Sequence, residues 1–232
     1  MRGQSRFGLA YARNGGYRVR NLEHSACPPI DGDPGPFTDD RFDADCRASL
    51  ALARPVIERF NVVIISSTWS SYDDEARFMP RFFDTVRRLT ASGKRVILIG
   101  KVPEIPGYDP LCREKALAYP WLACENTSAA PAAEVLRVNA QLRAFAEHTP
   151  NVRFYEVTEY ICPDGVCESL TEAGEPIYYD TMHLTLQASW ALGERILRKE
   201  GLPQVFAIGE DSVAGAGAML SAKKSLSFFQ RK

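Results

Sequence analysis

Three short strand-like runs, Val62–Ile65, Arg95–Gly100 and Val152–Val157, constrain this chain more than any other feature, because stretches of helical periodicity separate them. Val62-Val-Ile-Ile65 has no polar break, as suits a strand covered on both faces. The helical stretches are Asp45–Phe60, where Pro55 should kink or end the helix, Asp73–Ser92, carrying Phe78, Phe82, Phe83, Val86 and Leu89, and Pro131–His148, carrying Val135, Leu136, Leu142 and Phe145. Alternation of this kind defines an α/β fold: a mainly parallel sheet with helices on both faces, whose ligands bind at the carboxyl ends of the strands.

The flanking segments read less regularly. Phe7–Ala12 is a short helical lead that stops at Asn14-Gly-Gly16, and Tyr17–Leu22 alternates as a strand would. Residues 24–42 form a Pro/Gly/Asp loop, and residues 107–130 are irregular. From about Leu202 the composition turns to Gly, Ala and Ser, so the expected organisation is a domain over residues 1–201 and an extension over 202–232. With 28 basic and 29 acidic side chains the net charge is -1, which gives no electrostatic reason to expect nucleic acid as a partner.

Six cysteines are compatible with many pairings, but their spacing favours three local staples. Cys27 and Cys46 bracket the Pro-rich loop, Cys112 and Cys124 a Pro-Trp segment, and Cys162 and Cys167 the stretch Pro-Asp-Gly-Val. A zinc site would show closer Cys pairs with His partners, so no metal is expected. Persistent disulfides imply an oxidising compartment such as a bacterial periplasm. No signal peptide opens the sequence and no apolar run reaches membrane-spanning length, so the expectation is an exported piece of a longer polypeptide.

One stretch carries chemistry. Tyr178-Tyr-Asp180-Thr-Met-His183-Leu-Thr185 sets a carboxylate three residues before an imidazole, just ahead of a helix that Thr185 should cap and that Leu186, Trp190, Leu192, Ile196 and Leu197 should bury. A histidine takes a proton from a hydroxyl only when its other ring nitrogen is held as the donor tautomer, and a nearby carboxylate does that. His24, in a loop, and His148, at the end of a helix, have ordinary surface and helix-end readings.

Together with Ser25-Ala-Cys-Pro-Pro29, the strand and exit Val62-Val-Ile-Ile-Ser-Ser-Thr-Trp69-Ser-Ser-Tyr72, Val102-Pro103 and Cys162-Pro163, this turn resembles the SGNH (GDSL-like) hydrolase superfamily. More closely, the chain over roughly residues 7–200 is similar to the periplasmic SGNH domain fused to acyltransferase-3 membrane proteins that O-acetylate bacterial surface polysaccharides. The resemblance implies a three-layer, flavodoxin-like α/β/α sandwich with a Ser-His-Asp site, in which His183 is the general base and Asp180 its orienter. It also implies a membrane acyltransferase partner, which would use acetyl-CoA while this domain binds no cofactor, and a glycan as acceptor. Members carry Gly-Asp-Ser-His at the end of the first strand. Here only Gly3-Gln-Ser5-Arg6 stands, so either Ser5 is the nucleophile or the chain begins downstream of the true one and lacks the first strand. Trp69 and Ser70, where simpler members carry Gly-x-Asn-Asp, are candidate substrate contacts. The rival expectations are a secreted carbohydrate esterase of the same fold and a non-catalytic glycan-binding domain.

Overall fold

Each of the three runs holds a strand in the computed structural model of the chain, which describes residues 6–69, 72 and 76–207. In chain order the elements are α1 (Arg6–Asn14), α2 (Asp40–Ile57), β1 (Val62–Ile65), α3 (Phe78–Ala91), β2 (Arg95–Ile99), α4 (Cys112–Ala118), β3 (Ser128–Ala129), α5 (Ala133–Glu147), β4 (Val152–Tyr155), α6 (Thr158–Ile161), β5 (Cys167–Glu168) and α7 (Leu186–Glu200). The main sheet runs β1-β2-β4 with every pair parallel, Ile64 opposite Ile97 and Ile97 opposite Arg153.

Strand pleating sends alternate side chains of β2 to opposite faces. Val96 and Leu98 join Phe82 and Val86 of α3 and Val138 and Leu142 of α5. Ile97 and Ile99 join Phe7 and Tyr11 of α1 and Leu192 and Ile196 of α7. There is thus one core on each face of the sheet, which makes the α/β/α sandwich. Each such side chain contributes roughly 1.5–3 kcal/mol by leaving water. The outer edge of β1 has no strand beside it among the described residues, and Ile64 there is 42 % exposed. An apolar edge of this kind is a surface for pairing.

Helix α1 is held hard against α7. A Cβ at Gly193 would stand 2.9 Å from Phe7 Cα and 3.0 Å from Ala10 Cβ, so only glycine allows the two helices to approach this closely. Near the start of both helices, the Phe7 backbone N–H donates to Ser189 Oγ at 3.2 Å.

The sequence misplaces several elements. Tyr17–Leu22 is not a strand: it pairs with nothing in the described sheets, and its apolar residues Val19 and Leu22 are exposed. Alternation specifies a strand only where a neighbour supplies hydrogen bonds and cover. Residues 107–130 are not wholly irregular, since they contain α4 and β3, the latter paired antiparallel with β5. Helix α2 begins five residues before the expected start at Asp45, where Asp39 accepts from the Arg41 backbone N–H as a cap, and it ends two residues after Pro55. On α7 the buried face is Ser189, Leu192, Gly193 and Ile196, whereas Leu186 is exposed and the Trp190 indole reaches out to Glu194. Nor does the fold end at residue 201, because Phe206 is buried among Tyr11, Tyr155 and their neighbours. The rest of the expected extension lies outside the described residues.

Cys27–Cys46, Cys112–Cys124 and Cys162–Cys167 are bonded, with no free cysteine left to offer a thiolate to a metal. Among the described residues, no helix is long and apolar enough to cross a membrane.

Candidate active site

The site grows from the exit of the central strand. After Ile99 the chain runs through Gly100 and Lys101 to Pro103 and Ile105, and this exit supports the turn 177–185. Tyr178 Oη donates to the Pro103 carbonyl at 2.9 Å, the Ile105 N–H donates to the Thr181 carbonyl at 2.8 Å, and Tyr108 Oη donates to the Tyr178 carbonyl at 3.2 Å. Within the turn, Tyr179 N–H donates to the His183 carbonyl at 2.7 Å and Thr185 N–H to the Ile177 carbonyl at 2.9 Å. Thr185 then caps α7, its hydroxyl accepting from Ala188 N–H at 3.0 Å. Asp180 and His183 are thus fixed at the carboxyl end of β2, where an open parallel sheet places its ligand.

The Asp180 carboxylate closes on its own turn. Its Oδ1 accepts from the backbone N–H groups of Met182 at 2.9 Å and His183 at 2.7 Å, while His183 Nδ1 lies 2.9 Å from Oδ1 and 2.8 Å from Oδ2. An ionised carboxylate only accepts, so this geometry assigns the proton to Nδ1. Nε2 is left as the acceptor, and it has no hydrogen-bond partner among the described residues. His183 is 4 % exposed, so most of its imidazole is buried.

Partial burial pushes the Asp180 carboxyl up, but hydrogen bonds from Met182 N–H and from the His183 ring and backbone outweigh it, holding the group below its ordinary 3.8. A carboxyl lowered in the folded state adds stability above the unfolded value, and that stability is lost as pH falls through 3.8 and on through the lower folded value. Thermal unfolding midpoints measured from pH 7 to pH 2 should therefore drop more steeply below pH 4 in the wild type than in Asp180→Asn. Parallel curves would contradict this placement of the charge.

The other candidates are dispersed. Trp69 is not a sugar contact: it is fully buried, its indole N–H donates to the Ile99 carbonyl at 2.9 Å, and its ring packs on Phe82 with centroids 4.8 Å apart. Its donor and both faces are committed to the core. Ser5 and Ser70 lie outside the described residues. His24 is exposed, and His148 Nδ1 lies 2.7 Å from the Ala144 carbonyl at the end of α5.

Sequence reading missed Lys101. Its ammonium is fully buried 3.1 Å from Glu104 Oε1, close enough for an ion pair, yet without the alignment of a hydrogen bond. Glu104 serves as its counter-charge, without which a buried cation would cost several kcal/mol. A charged residue directly after an apolar strand was the available signal. Asn139, also buried, accepts from Lys101 N–H at 2.7 Å and donates to Glu156 Oε1 at 3.2 Å, which ties α5 to the exits of β2 and β4.

A fold and turn of this kind define an SGNH-type domain. Residues 6–198 match the model of the family described as the SGNH domain fused to AT3 domains, and the chain belongs to that family. Comparison with curated protein sequences finds no significant match. Among solved structures, the chain is similar to the periplasmic domain of a lipopolysaccharide acetyltransferase from Salmonella ser. Paratyphi A. The likeness has 17% sequence identity and a TM-score of 0.55, and covers 84% of this chain and 77% of that one. At that identity it speaks for the shared fold.

Proposed function

We propose that the chain is the periplasmic acyl-transfer domain of an O-acyltransferase that passes an acetyl group to a hydroxyl of a cell-surface polysaccharide. The observation that carries this reading is the Asp180–His183 pair, with Nδ1 held at 2.8 Å and Nε2 left as an acceptor. The family, whose members are fused to AT3 domains, supports an integral-membrane acyltransferase as partner and inner-membrane tether. That partner would draw on acetyl-CoA and deliver the acetyl group.

The nucleophile in this reading is a serine hydroxyl that precedes α1 in the sequence. Ser5 is the serine that this sequence places there. Nε2 of His183 takes the hydroxyl proton as Oγ bonds to the acyl carbonyl carbon, and the donor's leaving group departs with that proton. A glycan hydroxyl then gives its proton to Nε2, attacks the acyl-serine ester and releases Oγ, which recovers the proton. Asp180 stays ionised throughout and stabilises the imidazolium. With water in place of the glycan, the same steps make an esterase.

Hydrolysis of p-nitrophenyl acetate by the purified chain tests this. The rate should fall to background in both His183→Ala and Ser5→Ala. A wild-type rate equal to that of His183→Ala would reject the enzyme in favour of a glycan-binding domain. A full rate in Ser5→Ala alone would assign the hydroxyl to another residue.

A further inference from the structure

The loop closed by Cys112–Cys124 takes no part in the chemistry above, yet it displays the most exposed aromatic side chain among the described residues. Trp121 is 81 % exposed and Tyr119 53 %, and Leu117, two residues before Tyr119, is exposed as well. Their rings lie 5.5 Å apart between centroids at 63°, which gives the two walls of a corner. Apolar surface left in water forgoes about 25 cal/mol per Å² of burial, so a patch of this kind usually marks a binding surface. It is not slack chain. The disulfide ties its ends, Lys115 pairs with Asp109 at 2.7 Å, and Leu122 N–H donates to the Tyr119 carbonyl at 2.9 Å.

The two ends of the same loop, at Cys112 and Cys124, wall a cavity of about 250 Å³, lined also by Tyr108, Arg113, Glu125, Thr127 and Pro176. That is below the roughly 300–1,000 Å³ of pockets that enclose a whole small molecule. It suits one unit of a longer ligand whose remainder lies on the surface. The lining offers the carboxylates of Asp109 and Glu125 and hydroxyls to accept, and the Arg113 guanidinium and hydroxyls to donate, an excess of one acidic group that leaves it close to neutral. The cavity flanks the turn of the candidate site: Pro176 leads into that turn, and Tyr108 bonds to Tyr178, two residues before Asp180.

We propose that the Cys112–Cys124 loop and this cavity form a binding site for neutral sugar units of the acceptor polysaccharide, which rests on the acyl-transfer reading above. One unit lays its C–H face on Trp121 and Tyr119, and a neighbouring unit hydrogen-bonds in the cavity beside the Asp180 turn. An anionic bilayer fits the chemistry less well. Residues 107–127 carry the acidic Asp109, Glu114 and Glu125 against the basic Arg113 and Lys115, a net charge of -1 that gives no attraction to it.

The test is calorimetric titration of the full chain with de-O-acetylated lipopolysaccharide O-chains a few repeating units long. Wild type and His183→Ala should bind alike, whereas Trp121→Ala should bind at least tenfold more weakly at an unchanged melting temperature, and Trp121→Phe should recover part of the loss. Equal binding by wild type and Trp121→Ala overturns the site. So does the absence of binding, or Trp121-dependent binding to phosphatidylglycerol vesicles in place of O-chains. O-acetyl transfer by the membrane-joined enzyme is measured separately. Transfer that persists while Trp121→Ala leaves binding intact removes the sugar site alone, whereas an unaltered enzyme that transfers no acetyl group removes the reading beneath it.

Discussion

With Asn at position 180, acetyl-ester turnover is expected to fall by about 10²–10⁴-fold, mainly in kcat. The backbone N–H groups of Met182 and His183 donate to Asp180 Oδ1, and an Asn carbonyl can accept both, so the turn keeps its shape. What changes is the proton. A carboxylate accepts only and therefore requires Nδ1–H, whereas an amide can also donate, which admits the tautomer with the proton on Nε2. That tautomer has no lone pair for a serine hydroxyl, and the imidazolium formed during transfer would lose its counter-charge. Substrate binding should change far less, because Asp180 faces its own turn. Steady-state kinetics on wild type and variant decide it, and a fall in kcat of less than tenfold would mean that His183 works without its carboxylate.

Trp69→Ala should cost roughly 3–5 kcal/mol of unfolding free energy, read from urea denaturation. The side chain is fully enclosed against Phe82, and its truncation would leave both a void and an Ile99 carbonyl without its indole donor. Trp69→Phe keeps most of the volume and gives up the donor, so it should cost about 1–3 kcal/mol. In both variants that remain folded, affinity for glycan should be unchanged. Weakened glycan binding by stably folded Trp69→Phe would return this residue to the substrate surface.

The parts of the fold legible in the sequence are those set by local pattern. Val62–Ile65 and Arg95–Ile99 carry unbroken apolar runs, and Val152–Tyr155 carries three apolar residues around Arg153, each between helical stretches, which suits parallel strands. The three disulfides close loops of 5 to 19 residues, short enough for spacing to favour those partners. Asp180 and His183 meet because only Thr181 and Met182 separate them within one turn. Readings that depended on distant neighbours went astray. Tyr17–Leu22 alternates correctly and finds no strand to pair with among the described residues, and Leu186 and Trp190 lie on the helical period of α7 while its buried face is chosen by α1 through Gly193 and Ser189. Trp69, at a strand exit in sequence, is turned inward by a hydrogen bond to β2, a strand 30 residues further along. Lys101 and Glu104 are brought together by the strand exit, and no pattern of apolar residues announces a buried ion pair.

The central claim is that Asp180 holds the proton on His183 Nδ1 and leaves Nε2 to accept. Imidazole ¹⁵N–¹H correlation spectra of the labelled chain in its neutral-histidine range report the tautomer directly. They should give Nδ1–H with bare Nε2 for His183, and a mixed or reversed tautomer in Asp180→Asn. A His183 ring protonated on Nε2 in the wild type would contradict the account.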